Sequence, residues 1–167
     1  MDRIKKTERQ QHGLAPLFDE NSRVLVLGSF PSPKSRAAGM YYSHPRNRFW
    51  KVLAAVFGET EPETPEERRA FALKTGIALY DVIECCDIEG AKDSSVKNAV
   101  PADLSVFSGC RIKRVFVTGK LAGKLYAKYF GDGAVILPSP SPANCSVPFD
   151  KMVESYGCIR DCLLSGD

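Results

Sequence analysis

A short, continuous apolar run near the start of the chain constrains the fold most. Val24 to Leu27 consists of valine and leucine and ends at Gly28. A run this short, without polar alternation, is typical of a strand buried on both faces, as in parallel sheets. Similar runs occupy 77–83, 113–118 and 134–137. The sequence therefore predicts four buried strands.

Helical segments separate these strands. Pro45 to Phe57 has apolar residues at helical spacing behind a proline, and Thr64 to Glu67 is a capping box that starts a helix ending near residue 74. Further helices are predicted at 121–130 and 149–164, with a short one near residue 101. Strands that alternate with helices predict a three-layer α/β/α fold around a central, mainly parallel four-stranded sheet.

Length and composition favour one soluble domain. The 167 residues suit a single domain over 1–167, in which we expect 1–20 to be a polar lead-in. No apolar run approaches the roughly 18 residues that a membrane span needs. The charged N-terminus, MDRIKKTERQQHG, lacks the apolar stretch of a secretory signal. We expect a cytoplasmic monomer that does not bind membranes.

The cysteines and histidines argue against a metal site or disulfide framework. No C-x-x-C motif occurs, and only His12 and His44 are available to complete a ligand set. We therefore expect reduced thiols, no metal and no cofactor. The six cysteines are Cys85, Cys86, Cys110, Cys145, Cys158 and Cys162.

The charge distribution favours a polyanionic partner. The net charge is only +3, but five acidic residues cluster at 59–67, and the rest of the chain has 23 basic against 15 acidic residues. Such a surplus is compatible with nucleic acid without proving that it binds.

Candidate site residues follow the predicted strands. Parallel α/β sheets bind ligands beyond the carboxyl ends of their strands, where strand order reverses. Those ends carry the loops 28–34 and 138–144, the pair Tyr80-Asp81, and Thr118-Gly119. Loops of short hydroxyl side chains and prolines can approach a phosphate closely. Ordinary turn chemistry explains the same composition and remains an alternative.

The segment before the second helix adds aromatic and basic groups. Tyr41 and Tyr42 offer flat faces for a base, and Arg46 offers charge for phosphates. Asn47 is predicted in the first helical turn, where it either faces a ligand or caps the helix. For His44, just before the helix, a structural and a catalytic hydrogen bond are both open.

Five stretches of the chain occur in an order that is typical of one known family. They are GSFPS at 28–32, YYSHPRNRFW at 41–50, GIALYDVI at 76–83, DSSVKN at 93–98 and LPSPSPAN at 137–144. Together they resemble the uracil-DNA glycosylase superfamily, and most closely its hypoxanthine-DNA glycosylase branch. The resemblance implies hydrolysis of the N-glycosidic bond of a deaminated base, hypoxanthine or uracil, after the base is flipped out of DNA.

The chain departs from the superfamily pattern at three places. Ser29 and Phe30 follow Gly28, where most branches carry an Asp or Asn that handles water. Leu137 stands where the uracil-specific enzymes have a histidine, and no large wedge residue follows it. These departures keep a second hypothesis open: a module that binds nucleotides or lesions without cutting.

The resemblance also implies roles for individual residues. The catalytic role falls to Asn47, with Ser29 as a further candidate for handling water. Independently of the resemblance, Asp81 lies at a strand end that faces the same site, where it either handles water and stabilises a cationic sugar or forms a cap or a salt bridge. The expected base pocket comprises Gly28, Phe30, Tyr42 and His44. The expected DNA-binding residues are Pro31, Ser32, Lys34, Arg46, Lys92, Lys97, Ser139, Pro140, Ser141 and Asn144.

Overall fold

Four parallel strands form the centre of the computed structural model, which describes residues 7–90 and 92–166. In chain order the strands are β1 (Glu8–Gln11), β2 (Val24–Gly28), β3 (Ile77–Asp81), β4 (Ile83–Ile88), β5 (Lys97–Pro101), β6 (Arg114–Thr118) and β7 (Ala134–Leu137). The helices are α1 (Pro33–Ala38), α2 (Phe49–Phe57), α3 (Pro65–Thr75), α4 (Lys120–Phe130) and α5 (Phe149–Leu164), with 3-10 turns at Asp93–Ser95 and Leu104–Phe107.

The central sheet has the strand order β3-β2-β6-β7, and every neighbouring pair is parallel. The predicted fold class is therefore confirmed. The first of these strands in the chain, β2, lies inside the sheet. In the sheet, β3 lies on one side of β2 and β6 lies on the other. This reversal creates a switch point at the carboxyl end of β2.

Alternate side chains of β2 serve two separate cores. Val24 and Val26 pack in a cluster with residues of α2, α3 and α5, whereas Leu25 and Leu27 pack in a cluster with Ala122 of α4. Both faces of the strand are buried, because successive side chains point to opposite faces of a sheet. This arrangement explains the continuous apolar run that the sequence shows.

A second, antiparallel sheet of order β1-β4-β5 was not predicted. The sequence predicts one strand as far as Ile83 and a polar connection over 84–100. Instead the chain leaves the central sheet after Asp81 and enters β4. Register shifts at Cys85 interrupt the pairing of β4 with β5, and they hide the alternation by which a strand is recognised.

The predicted polar lead-in is part of the fold over the residues that the structure describes. Leu17 exchanges two backbone hydrogen bonds with Leu79 of β3, at 3.0 and 2.9 Å. Leu14 and His12 are also buried. The sequence has a short apolar patch here, Leu14 to Phe18, but its partner β3 is far along the chain, so the local pattern did not show where it packs. Residues 1–6 lie outside the described residues.

Helix boundaries differ from the predictions in three places. The loop after β2 contains the unpredicted helix α1, and the short helix expected near residue 101 is the 3-10 turn Leu104–Phe107. Helix α2 begins at Phe49 rather than Pro45. By contrast, the Thr64–Glu67 capping box of α3 is formed as predicted. No helix in the described part of the chain is long and apolar enough to cross a membrane.

Replacing Leu17 with Ala tests whether the N-terminal segment belongs to the core. Leu17 is 2% exposed, so the truncation should lower the free energy of unfolding by about 2–5 kcal/mol. Urea denaturation measures this change, with the exposed Glu20→Ala as the matched control. A loss for Leu17→Ala no larger than about 0.5 kcal/mol would contradict the assigned packing.

Candidate functional site

A pocket of about 450 Å³ opens at the carboxyl edge of the central sheet, at the switch point beside β2. The end of β2 and the loops after β2 and β7 form much of its wall, together with the segment 41–47 and the connection between β4 and β5. Its lining includes Gly28, Ser29, Phe30, Pro31, Ser32, Tyr42, His44, Asn47, Asp81, Lys92, Thr118, Ser139, Pro140, Ser141 and Asn144.

A hydrogen-bonded pair, Asp81 and His12, lies at the inner end of this pocket. The Nε2 atom of His12 is 2.7 Å from Oδ2 of Asp81, and the two side chains are 4% and 5% exposed. Burial raises the pKa of Asp81 above its usual value, while the hydrogen bond from His12 acts in the opposite direction. One carboxylate oxygen is thus held by the protein.

The other oxygen of Asp81, Oδ1, lies beside the backbone of Gly28. A Cβ atom at residue 28 would be only 2.5 Å from Oδ1 and 3.3 Å from the Tyr42 hydroxyl. Glycine is therefore the residue that leaves room for the carboxyl group. No residue in the described ranges donates a hydrogen bond to Oδ1, which leaves its acceptor capacity for a ligand.

Sequence reasoning missed the role of His12, which it considered only as a metal ligand. The histidine follows β1, a strand that was not predicted, and its ring lies 4.6 Å from that of Tyr80 and 6.1 Å from that of Phe30. Nothing in its sequence neighbourhood indicates a partner 69 positions away. Only the pairing of β1 with β4 places it beside Asp81.

Asn47 precedes helix α2 instead of lying in its first turn. Its Oδ1 atom accepts a hydrogen bond of 2.9 Å from the backbone N–H of Phe49, and Nδ1 of His44 accepts one of 3.1 Å from Arg46. A helix beginning at Pro45 would bond the Phe49 N–H to the Pro45 carbonyl. The Asn47 side chain takes this donor instead, so α2 starts later than predicted. The N-cap position of α2 is Arg48, so Asn47 is not the helix cap; its side chain accepts from the first helical residue and also lines the pocket.

The Asn47 amide keeps its donors available. Phe49 needs an acceptor, so Oδ1 must be the atom that faces it and Nδ2 must point elsewhere. Among the described residues, none accepts a hydrogen bond from Nδ2. Asn47 can therefore donate two hydrogen bonds to a ligand while its oxygen supports the helix.

Aromatic side chains form part of the pocket wall. Tyr42 adopts a left-handed backbone conformation with φ 55°, stacks on Phe49 at 3.8 Å, and hydrogen-bonds Thr118 at 3.0 Å. Burial raises the pKa of Tyr42, so the phenol stays neutral.

Two further aromatic residues lie beside the pocket. Phe30 is half-buried, and the guanidinium carbon of Arg36 lies 5.5 Å from the centroid of its ring. Tyr41 is core: its hydroxyl bonds the Ala15 carbonyl at 2.8 Å.

The serines of the two loops make local hydrogen bonds. The hydroxyl of Ser32 caps α1, and the hydroxyls of Ser139 and Ser141 each accept a bond of 3.2 Å from a backbone N–H two residues later. The Arg48 guanidinium holds the second loop through the carbonyls of Asn144 and Val147. Ordinary turn chemistry is thus present, and the same loops line the pocket.

The expected basic residues divide into two groups. Lys92 lines the pocket. Lys34, Arg46 and Lys97 are exposed and do not line it. Among the described residues, no group of three or more His, Cys, Asp or Glu side chains is arranged to hold a metal ion.

Comparison with known proteins identifies the family. The uracil DNA glycosylase superfamily model matches residues 15–156. The hypoxanthine DNA glycosylase of Methanosarcina barkeri is 33% identical over 140 residues, which cover 81% of this chain and 89% of the relative. Its namesake from Methanosarcina acetivorans is 31% identical over 142 residues, with coverage of 80% and 88%.

A solved structure agrees with this match. A Methanosarcina acetivorans protein assigned provisionally as a uracil DNA glycosylase, determined by solution NMR, superimposes with a TM-score of 0.76 at 26% identity. The alignment covers 91% of this chain and 98% of that protein. The family match spans the central sheet and most residues of the pocket. The chain belongs to the uracil DNA glycosylase superfamily.

Proposed function

We propose that this protein is a monofunctional DNA glycosylase that removes deaminated bases, hypoxanthine above all, from DNA. The observation that carries the proposal is the free Oδ1 acceptor of Asp81 in a pocket at the switch point. Hypoxanthine carries an N–H group beside its carbonyl, where adenine carries an acceptor nitrogen. A buried acceptor favours the first base and repels the second.

The target base reaches this pocket by leaving the duplex. Flipping costs a few kcal/mol, and the cost is least for a mispaired base such as hypoxanthine. The ring of Phe30 offers an apolar surface on which the extruded base can stack. Asp81 then accepts the base N–H at the inner end of the pocket. Asp81 lies deep in the pocket, where it can contact the extruded base more readily than the sugar, which stays with the DNA backbone.

Bond cleavage places negative charge on the departing base and positive charge on the sugar. The Nδ2 group of Asn47 donates to the base and stabilises its developing charge. The Ser29 hydroxyl lines the pocket without a hydrogen-bond partner among the described residues, so it can orient the attacking water. Asn47 does not act as a strong base, because an amide takes up no proton near neutral pH.

The DNA backbone binds around the mouth of the pocket. The loops of Ser32 and of Ser139 to Asn144 are fixed by their own hydrogen bonds, so they lose little conformational freedom on binding. Lys92 contributes charge at the wall, and Lys34, Arg46 and Lys97 contribute it on the surface.

A labelled duplex containing one hypoxanthine tests the proposed function. Incubation with the protein followed by alkali should break the strand at the lesion, because removal of the base leaves an alkali-labile abasic site. The matched adenine duplex should stay intact, and a uracil duplex measures the second candidate base. Binding of the lesion duplex without any alkali-labile product would instead indicate a non-catalytic module.

Two substitutions separate the roles of Asn47. Both Asn47→Ala and Asn47→Asp remove the amide donors and should lower single-turnover cleavage by roughly 100-fold or more. Asn47→Asp keeps an acceptor for Phe49 and should retain the melting temperature, whereas Asn47→Ala loses this hydrogen bond and should lose about 1 kcal/mol of stability. If Asn47→Asp cleaves at nearly the wild-type rate, Asn47 only supports the start of α2.

Gly28→Ala tests the close approach of Asp81. The added Cβ would lie 2.5 Å from Oδ1, so the carboxyl group must move. Cleavage should fall by roughly tenfold or more, because the carboxyl group loses its position. The control is Gly157→Ala, whose Cβ would meet no atom within 4 Å. Single-turnover rates and lesion affinities measure both variants. Equal rates in the two variants would refute the assigned geometry.

A further inference from the structure

We propose that His12 is a positioning residue that sets the base specificity of this site. Its hydrogen bond fixes Asp81 with one oxygen toward the pocket and keeps that oxygen an acceptor. The inference rests on the proposed function, because it takes the base N–H as the partner of Asp81.

Several contacts hold His12 in place. Its backbone N–H donates to the carbonyl of Glu84 at 2.8 Å, and Nδ1 lies 3.2 Å from the backbone nitrogen and 2.9 Å from the carbonyl of Leu14. The rings of Tyr80, Tyr41 and Phe30 surround the imidazole. The ring cannot swing away without breaking these contacts, so the position of Nε2 is a fixed property of the fold.

Asp81 depends on this donor. In residues 7–90 and 92–166, His12 alone donates a hydrogen bond to the carboxyl group. A buried carboxylate without a donor takes up a proton, because burial disfavours its charged form. A protonated Asp81 could present an O–H donor to the pocket. It would then oppose the N–H of hypoxanthine and suit the acceptor nitrogen of adenine.

The other groups around Asp81 do not replace His12. Burial raises the pKa values of Tyr41, Tyr42 and Tyr80, so their phenols stay neutral between about pH 5 and pH 9. Two cations lie at the pocket wall. Arg36 is engaged with the ring of Phe30 and with the Gln10 side chain, and Lys92 is exposed to solvent. His12 is therefore the group that determines whether the inner end of the pocket accepts or donates.

Two conservative substitutions separate this role from packing. The amide of His12→Asn reaches the position of Nδ1, so it can keep a bond to Leu14 but cannot reach Asp81. The amide of His12→Gln reaches the position of Nε2 and can still donate to Asp81. Both variants have a polar amide side chain no larger than that of histidine. The two therefore differ mainly in whether the hydrogen bond to Asp81 can form.

The experiment measures single-turnover cleavage of hypoxanthine and adenine duplexes against pH. In His12→Asn the acid limb of the profile should move to higher pH by about one unit or more, which is a tenfold loss below the limb. The rate should recover as the pH rises, because Asp81 then ionises. The preference for hypoxanthine over adenine should fall below the limb, and His12→Gln should recover most of the loss.

A loss by the same factor at every pH in His12→Asn would overturn the proposal, as would equal impairment of His12→Gln. The carboxyl resonance of Asp81, followed by NMR against pH, gives a readout without substrate. A higher pKa in His12→Asn than in the wild type supports the role of His12 even if the wild type cleaves no lesion. A wild type that cleaves no lesion contradicts the proposed function but leaves the role of His12 intact. Equal pKa values of Asp81 in the wild type and in His12→Asn would refute the inference about His12.

Discussion

The hydrogen bond between His12 and Asp81 connects the fold to the chemistry of the pocket. A buried carboxyl group is costly unless hydrogen bonds compensate for its lost hydration. His12, which directly follows the edge strand β1 of the second sheet, supplies one such bond, and the absence of a side chain at Gly28 leaves room for the carboxyl group. The remaining oxygen can be satisfied only by what enters the pocket. The pocket therefore favours a ligand that donates a hydrogen bond to Asp81, as the N–H of the proposed base would.

The strand order explains why these groups meet. Strands β3 and β6 pair with opposite edges of β2. Their carboxyl ends therefore place Asp81 and Thr118 on either side of Gly28. The chain then passes directly from Asp81 into β4, whose other neighbour, β1, leads to His12. The second sheet is thus part of the site: it carries the residue that holds Asp81.

Sequence reasoning predicted what depends on local pattern. The buried run at 24–27 predicted a parallel sheet, and the ends of its strands pointed to Asp81 and to the two serine-proline loops. The features that were missed depend on contacts between residues far apart in the sequence. The bulged strand β4 has no clear alternation, and β1 is polar, so neither the second sheet nor His12 was apparent. The start of α2 was misplaced because the side chain of Asn47 competes with the helix for the backbone of Phe49.

The same competition shows how one residue can serve structure and function together. An asparagine has one acceptor and two donors on its amide, and the fold uses only the acceptor. The bond from the backbone of α2 to the acceptor fixes the direction in which the donors point, so in the proposed reaction they need no reorganisation when charge develops on the base. This hydrogen bond is therefore part of the proposed preorganisation of the pocket. Asp81 follows the same rule, since one oxygen is held by His12 and the other is left for the ligand.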